Sequence, residues 1–194
     1  MSTGKRAAKD QKQLHLPLET PRLILREFMP TDLERVHAYA SREEVTRYMI
    51  WGPNNLSQSA EALSSFMEDA RQHPRASYDL GITLKPHGIL IGGAGLRISD
   101  AESRTGDIGY ALHPDFWRHG YAEEAARALL HEGFHALGLR RIVGVCDQRN
   151  KASARVMERL GMRREGAFRA SKLIQDEWQD EYLYAILREE FLGL

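Results

Sequence analysis

The order and spacing of apolar residues in this chain predict a single α/β domain of the α+β kind. Three observations carry that prediction. Segments of strand period and segments of helix period follow one another along the chain from about residue 15. Pairs of strand-type segments joined by turn signals occur in the first half and again near the end, as antiparallel hairpins require. Between them lies one strand, helix, strand unit. The 194 residues suffice for one domain with a real core, and no repeat, low-complexity stretch or linker divides them. Residues 15–194 are therefore expected to form the domain, behind a mobile polar tail of residues 1–14.

Arg22 to Phe28 alternates branched apolar with charged residues, the pattern of a half-buried strand, and Pro30 ends it. Thr31 followed by Glu34 reads as a capping box for a helix through Val36 and Tyr39. A second helix fits Ser59 to Gln72, closed by Pro74. Tyr78 to Leu84 and Ile89 to Leu96 form a hairpin around Pro86 and Gly88, and a third strand covers Thr105 to Leu112. The clearest helix follows, with Ala122, Ala125, Ala126, Leu129, Leu130, Gly133, Phe134 and Leu137 at three and four residue spacing up to Gly138. Ile142 to Cys146 is a short strand. Asn150 caps a brief helix ending at Gly161, and two last strands fit Arg163 to Phe168 and Glu181 to Leu187.

Composition excludes several functions. Lys plus Arg total 27 against 27 Asp plus Glu, which leaves no basic excess to neutralise nucleic-acid phosphates. The lone cysteine, Cys146, can form neither an internal disulfide nor a four-cysteine zinc site, which points to a reducing, cytoplasmic setting. No apolar run reaches membrane-spanning length, so no membrane partner is expected.

The stretch from Asp107 to Ala125 carries the most chemistry. A strand leads through a short loop with Gly120 into a helix that has no Ser, Thr, Asp or Asn at its start. Its first amides lack a side-chain cap and offer an anion free donors and about half a positive charge. Arg118 and His119 add cationic character. A plain strand-to-helix turn, with Glu123 and Glu124 serving the dipole, fits the same residues.

The run Trp117, Arg118, His119, Gly120, Tyr121, Ala122 resembles the pyrophosphate loop of the GNAT acetyltransferases, with Trp117 in place of the Gln or Arg common at its first position. LETPRLILR from Leu18, IGYALHP from Ile108 and NKASARVMERLGMRREG from Asn150 resemble the RimJ/RimL branch, and the likeness covers about residues 16–190. The resemblance implies a mixed, mostly antiparallel sheet that splays between the Thr105 and Ile142 strands, with acetyl-CoA in the gap and no metal. Leu112 would pair with the pantetheine, amides from Arg118 to Ala122 would hold the pyrophosphate, and Asn150 would bond the cofactor arm. Asn150 serves equally as a helix N-cap.

The same resemblance implies direct transfer to an amine acceptor. Met157 stands where many relatives place an acidic tyrosine. Ser153 matches the serine proposed as acid in RimL-like enzymes, though it also reads as a first-turn hydroxyl. Lys172 and Val145 occupy positions where relatives carry a basic carboxylate, which leaves Asp107, then Glu102, as candidate base. With a weak base, a peptide N-terminus or another low-pKa small amine suits the site better than lysine. Asp176, Glu177, Asp180 and Glu181 are expected in the turn between the last strands. The protein is expected to be a monomer or a homodimer.

Two other readings stand beside this one. His131, Glu132 and His135 spell the HExxH pattern of zinc peptidases, but Arg141 stands where a third histidine ligand belongs and cannot bind zinc. A non-catalytic acyl-CoA-binding module would use the same loop. Charge is also unevenly spread: basic residues dominate 140–165 and acidic ones 175–194, as suits an anionic cofactor on one side and a cationic acceptor on the other.

Overall fold

The computed structural model describes residues 13–174 and 176–194. The tail expected over residues 1–14 lies largely outside them, but Leu14 is already buried in the main core. The elements run β1 (Leu18–Glu19), β2 (Leu23–Glu27), α1 (Leu33–Ala40), α2 (Glu43–Thr46), α3 (Leu56–Asp69), β3 (Ser77–Leu84), β4 (Ile89–Asp100) and β5 (Thr105–Leu112). They continue as α4 (Tyr121–His135), β6 (Arg141–Asp147), α5 (Lys151–Arg159), β7 (Arg163–Ile174), β8 (Glu177–Leu187) and α6 (Arg188–Leu192).

The strands form one open sheet in the order β1-β2-β3-β4-β5-β6-β8-β7. Every neighbouring pair is antiparallel except β5 and β6. That parallel pair is joined through α4, as a parallel connection requires. It holds only three register positions, Thr105 with Arg141, Gly106 with Ile142 and Asp107 with Val143, and the strands part beyond them. The sheet is thus two antiparallel halves, β1 to β5 and β6 to β8, hinged at one short parallel contact.

Helices cover both faces. The main core lies between the sheet and α4 and α5, where Leu129, Leu130 and Phe134 meet Leu96 and Ile142. A smaller core under α1 and α3 gathers Phe28, Val36, Tyr39 and Leu63. Gly133, inside α4, lets the helix lie close to the sheet. A Cβ there would come within 2.8 Å of Ile142 and 2.9 Å of Leu96.

Several boundaries differ from the sequence reading. The first helix is not capped by Thr31. Asp32 instead accepts from the Met29 amide at 2.8 Å and pairs with both terminal nitrogens of Arg26 at 2.7 and 2.8 Å. The second helix begins three residues early at Leu56, because Asn55 and Gln58 form a reciprocal capping box. The last hairpin is longer than expected, so Glu177, Asp180 and Glu181 belong to β8 and Asp176 alone of the four lies in its turn.

Burial alone would push the Asp32 carboxyl up, but Arg26 and the Met29 amide hold it below the usual carboxylate range. A depressed carboxyl adds stability above its unfolded pKa and loses it as pH falls through the folded value. Asp32→Asn should therefore cost about 1–3 kcal/mol at pH 7 in urea unfolding. The difference from the parent should shrink below about pH 4. A difference that does not change with pH would refute this role for the Asp32 charge.

Candidate active site

The parting of β5 from β6 opens a cleft of about 810 Å³. Its walls are the end of β5, the loop into α4, the first turns of α5 and the segment Glu44–Met49. Because β4 occupies one side of β5 and β6 leaves the other after Asp107, the far end of β5 keeps an unpaired edge.

At one end of the cleft lies the start of α4. Gly120 is left-handed, with φ 80°, and no side chain caps the helix. Arg118, at φ 65°, is a second left-handed residue two positions earlier. For a residue with a Cβ that conformation costs roughly 1–2 kcal/mol, so at Arg118, which lines the cleft, the loop is held in a strained curl. Trp117 anchors this curl by donating its indole N–H to the Leu112 carbonyl at 2.8 Å. That bond explains the departure from the usual motif residue. It also gives the Leu112 carbonyl a donor, while the Leu112 residue itself lines the cleft.

The start of α5 forms the opposite wall. Asn150 caps it by accepting from the Ser153 amide at 3.0 Å, which leaves its own NH₂ group as a donor. Ser153 also meets Tyr110 of β5, whose hydroxyl lies 3.2 Å from both the Ser153 carbonyl and its Oγ. Burial pushes the Tyr110 phenol far above its ordinary pKa, so it stays protonated. Tyr110 lines the cleft although the sequence reading did not single it out; it stands in the quoted IGYALHP segment. Farther along α5, Tyr184 donates to Glu158 at 3.0 Å and ties the helix to β8.

The structure brings Leu112, Trp117, Arg118, Gly120, Tyr121, Ala122, Asn150 and Ser153 together around the cleft. His119 turns aside and stacks on Tyr121 with ring centres 5.5 Å apart. Asp107 is not brought in: it lies in the paired part of β5, between Arg97 and Val143. Glu102 is exposed in the turn before β5, about 20 Å or more from the far end of that strand. Met157 is buried with its sulfur against Gly144. Cys146, on the diverging part of β6, is buried as well, and burial followed by the nearby Asp147 charge pushes its thiol up to about 11.

Charge is less divided than the sequence suggested. Arg140 pairs with Glu189 and Arg163 with Glu190 from one block to the other, Arg141 pairs with Glu165 within the basic block, and Lys172, between the blocks, pairs with Glu181, so part of the asymmetry is neutralised. Arg155 and Arg159 alone of the eight basic residues in 140–165 line the cleft. The HExxH histidines stack on one another 4.1 Å apart, the His131 ring against Glu132 and the His135 ring against the His131 carbonyl. Among the described residues no group of three His, Cys, Asp or Glu side chains is arranged to hold a metal ion, and no helix is long and apolar enough to cross a membrane.

Comparison with known proteins gives a consistent result. The family model described as "Acetyltransferase (GNAT) domain" matches residues 22–163. The uncharacterized N-acetyltransferase YnaD of Bacillus subtilis is 35% identical over 174 residues, covering 90% of this chain and 98% of the relative. A second B. subtilis protein of that description, YoaA, is 34% identical over 88% of this chain and 96% of its own length. Among solved structures, an acetyltransferase of the GNAT family from Bacillus anthracis superposes with a TM-score of 0.81 at 34% identity, covering 90% of this chain and 100% of that one.

Gly120 offers a direct test of the loop geometry. Gly120→Ala should lower stability by roughly 1–2 kcal/mol in thermal or urea unfolding, the cost of a Cβ in the left-handed region. A neutral or stabilising result would show that the loop does not require this conformation.

Proposed function

The chain belongs to the GNAT acetyltransferase family and is an acetyl-CoA-dependent acetyltransferase; from that premise we propose that it acetylates a primary amine of low pKa, with the α-amine of a peptide N-terminus as its acceptor, in the manner of the RimJ/RimL branch. The observation that carries the site assignment is the cleft itself. It joins an uncapped helix start, an unpaired strand edge and a seryl hydroxyl within one opening.

These features fit acetyl-CoA, which supplies an acetyl group activated as a thioester. The amides at the start of α4 hold its diphosphate, with Arg118 nearby as a cation. The Leu112 amide and the Asn150 NH₂ group align the pantetheine arm. Amides on the open edge of β5 stabilise the oxygen that becomes negative as the amine attacks. The new N–C bond forms, the C–S bond breaks, and the thiolate takes the Ser153 hydroxyl proton. Tyr110, whose hydroxyl donates to the Ser153 carbonyl and lies 3.2 Å from its Oγ, holds the serine in place at the cleft. The surplus proton of the acetylated nitrogen returns to Oγ through water.

The acceptor class follows from what the cleft lacks. Glu123 is engaged by Arg127 at 3.0 Å, which leaves Glu44 of α2 as the carboxylate lining the cleft that can draw in an ammonium. An exposed carboxylate is a poor base for a lysine, whose neutral form costs between about 4 and 5 kcal/mol at pH 7, against about 1 kcal/mol for an α-amine.

A thiol-release assay across N-terminal peptides, lysine peptides, polyamines and aminoglycosides tests the reading. N-terminal peptides should turn over about tenfold or more faster than lysine peptides at pH 7; preference for lysine or polyamine would overturn it. Acetyl-CoA binding without turnover of any amine would instead favour a binding module. Ser153→Ala should lower kcat by about a hundredfold and Tyr110→Phe by less, within the range of general acid catalysis. Full activity in Ser153→Ala would remove the serine from the proton path.

A further inference from the structure

We propose that Arg22, remote in sequence from the loop, is a positioning residue that clamps the diphosphate loop and masks a carboxylate that would repel its ligand; this rests on the reading of that loop as the diphosphate site. Helix α4 opens with two glutamates, Glu123 and Glu124. Negative charge in a first turn favours the helix dipole, but it stands against the anion that those amides are to hold. The structure deals with both. Glu123 is paired with Arg127 at 3.0 Å and lies 3.9 Å from Arg159.

Glu124 is drawn away from the cleft to the segment before β2. It accepts from the Thr20 hydroxyl at 2.6 Å, the Arg22 amide at 2.9 Å and Arg22 Nε at 2.6 Å. These bonds keep its carboxyl below the usual range even though burial alone would raise it. The same guanidinium donates to the His119 carbonyl at 2.9 Å, inside the loop, and lies over the Tyr121 ring at 4.6 Å. It also fills the space that Gly120 leaves: a Cβ there would stand 3.4 Å from Arg22 Nη2. One planar fork thus touches the loop at His119, Gly120 and Tyr121 and neutralises Glu124. A lysine, with one compact charge, cannot make all these contacts.

The pair is half exposed on the arginine side, so its effect belongs to ligand binding more than to folding. Calorimetry with CoA, and turnover of acetyl-CoA against acetylpantetheine, which lacks the diphosphate, test the proposal. Arg22→Ala should weaken CoA binding by about tenfold and raise the KM for acetyl-CoA equally, while acetylpantetheine turnover stays within about twofold of the parent. Adding Glu124→Gln to that background should recover about half or more of the loss on a logarithmic scale, because the repelling charge is gone. Should Arg22→Ala fail to fold, Arg22→Lys serves, with a smaller loss of the same kind. Unchanged CoA binding, an equal loss with acetylpantetheine, or no recovery in the double variant would each overturn the clamp. If the parent uses acetylpantetheine as well as acetyl-CoA, the loop assignment itself fails, and the clamp with it.

Discussion

The short parallel contact between β5 and β6 is the constraint on which the rest of the molecule depends. A parallel pair with both faces covered would ordinarily run the length of its strands. Here three register positions are made, and the remaining edge of β5 is left without a strand partner. Backbone groups left unpaired inside a protein are costly, so an edge of this kind persists only where something else reaches it. The Trp117 indole takes one carbonyl. The open edge beyond it borders the cleft, and the proposed cofactor arm would bond to that edge as a strand would.

What keeps the two halves apart is packing on the α5 side of the opening. Met157 presses its sulfur against Gly144, Tyr110 reaches across to Ser153, and Tyr184 fixes Glu158. The helix therefore serves as a spacer between the strands as well as a carrier of polar groups. The same contacts that hold the cleft open set the seryl hydroxyl on its wall, so structural and chemical roles fall on one short segment.

Much of this was legible in the sequence. The strand from Thr105 to Leu112 has the bounds that its sequence predicts, because Pro114 stops it and Ile108, Tyr110 and Leu112 alternate with Asp107, Gly109 and Ala111. The start of α4 was legible for what it lacks, a capping side chain, and Asn150 was legible as a cap. Other features were hidden because they depend on contacts distant in sequence. Nothing local marks Tyr110 as the partner of Ser153, 43 residues away, or shows that Arg140 and Arg163 are neutralised by α6. Asp107 looked available because its sequence position is close to the loop, but the register places it in the paired part of the strand. Thr31 lost to Asp32 because a carboxylate that bonds Arg26 and an amide together outweighs a lone hydroxyl.

The buried thiol of Cys146 acquires a meaning in a protein that handles a thioester. Acyl groups pass readily between sulfur atoms, and a reactive cysteine within reach of the cleft would compete with the amine for the acyl group; Cys146 is buried and is not among the residues that line it. Burial, followed by the nearby Asp147 charge, pushes its thiol up to about 11 and so disfavours the nucleophilic thiolate at neutral pH. Burial among apolar groups thus makes the chain's one sulfur nucleophile a bystander, and the activated carbon is left for nitrogen.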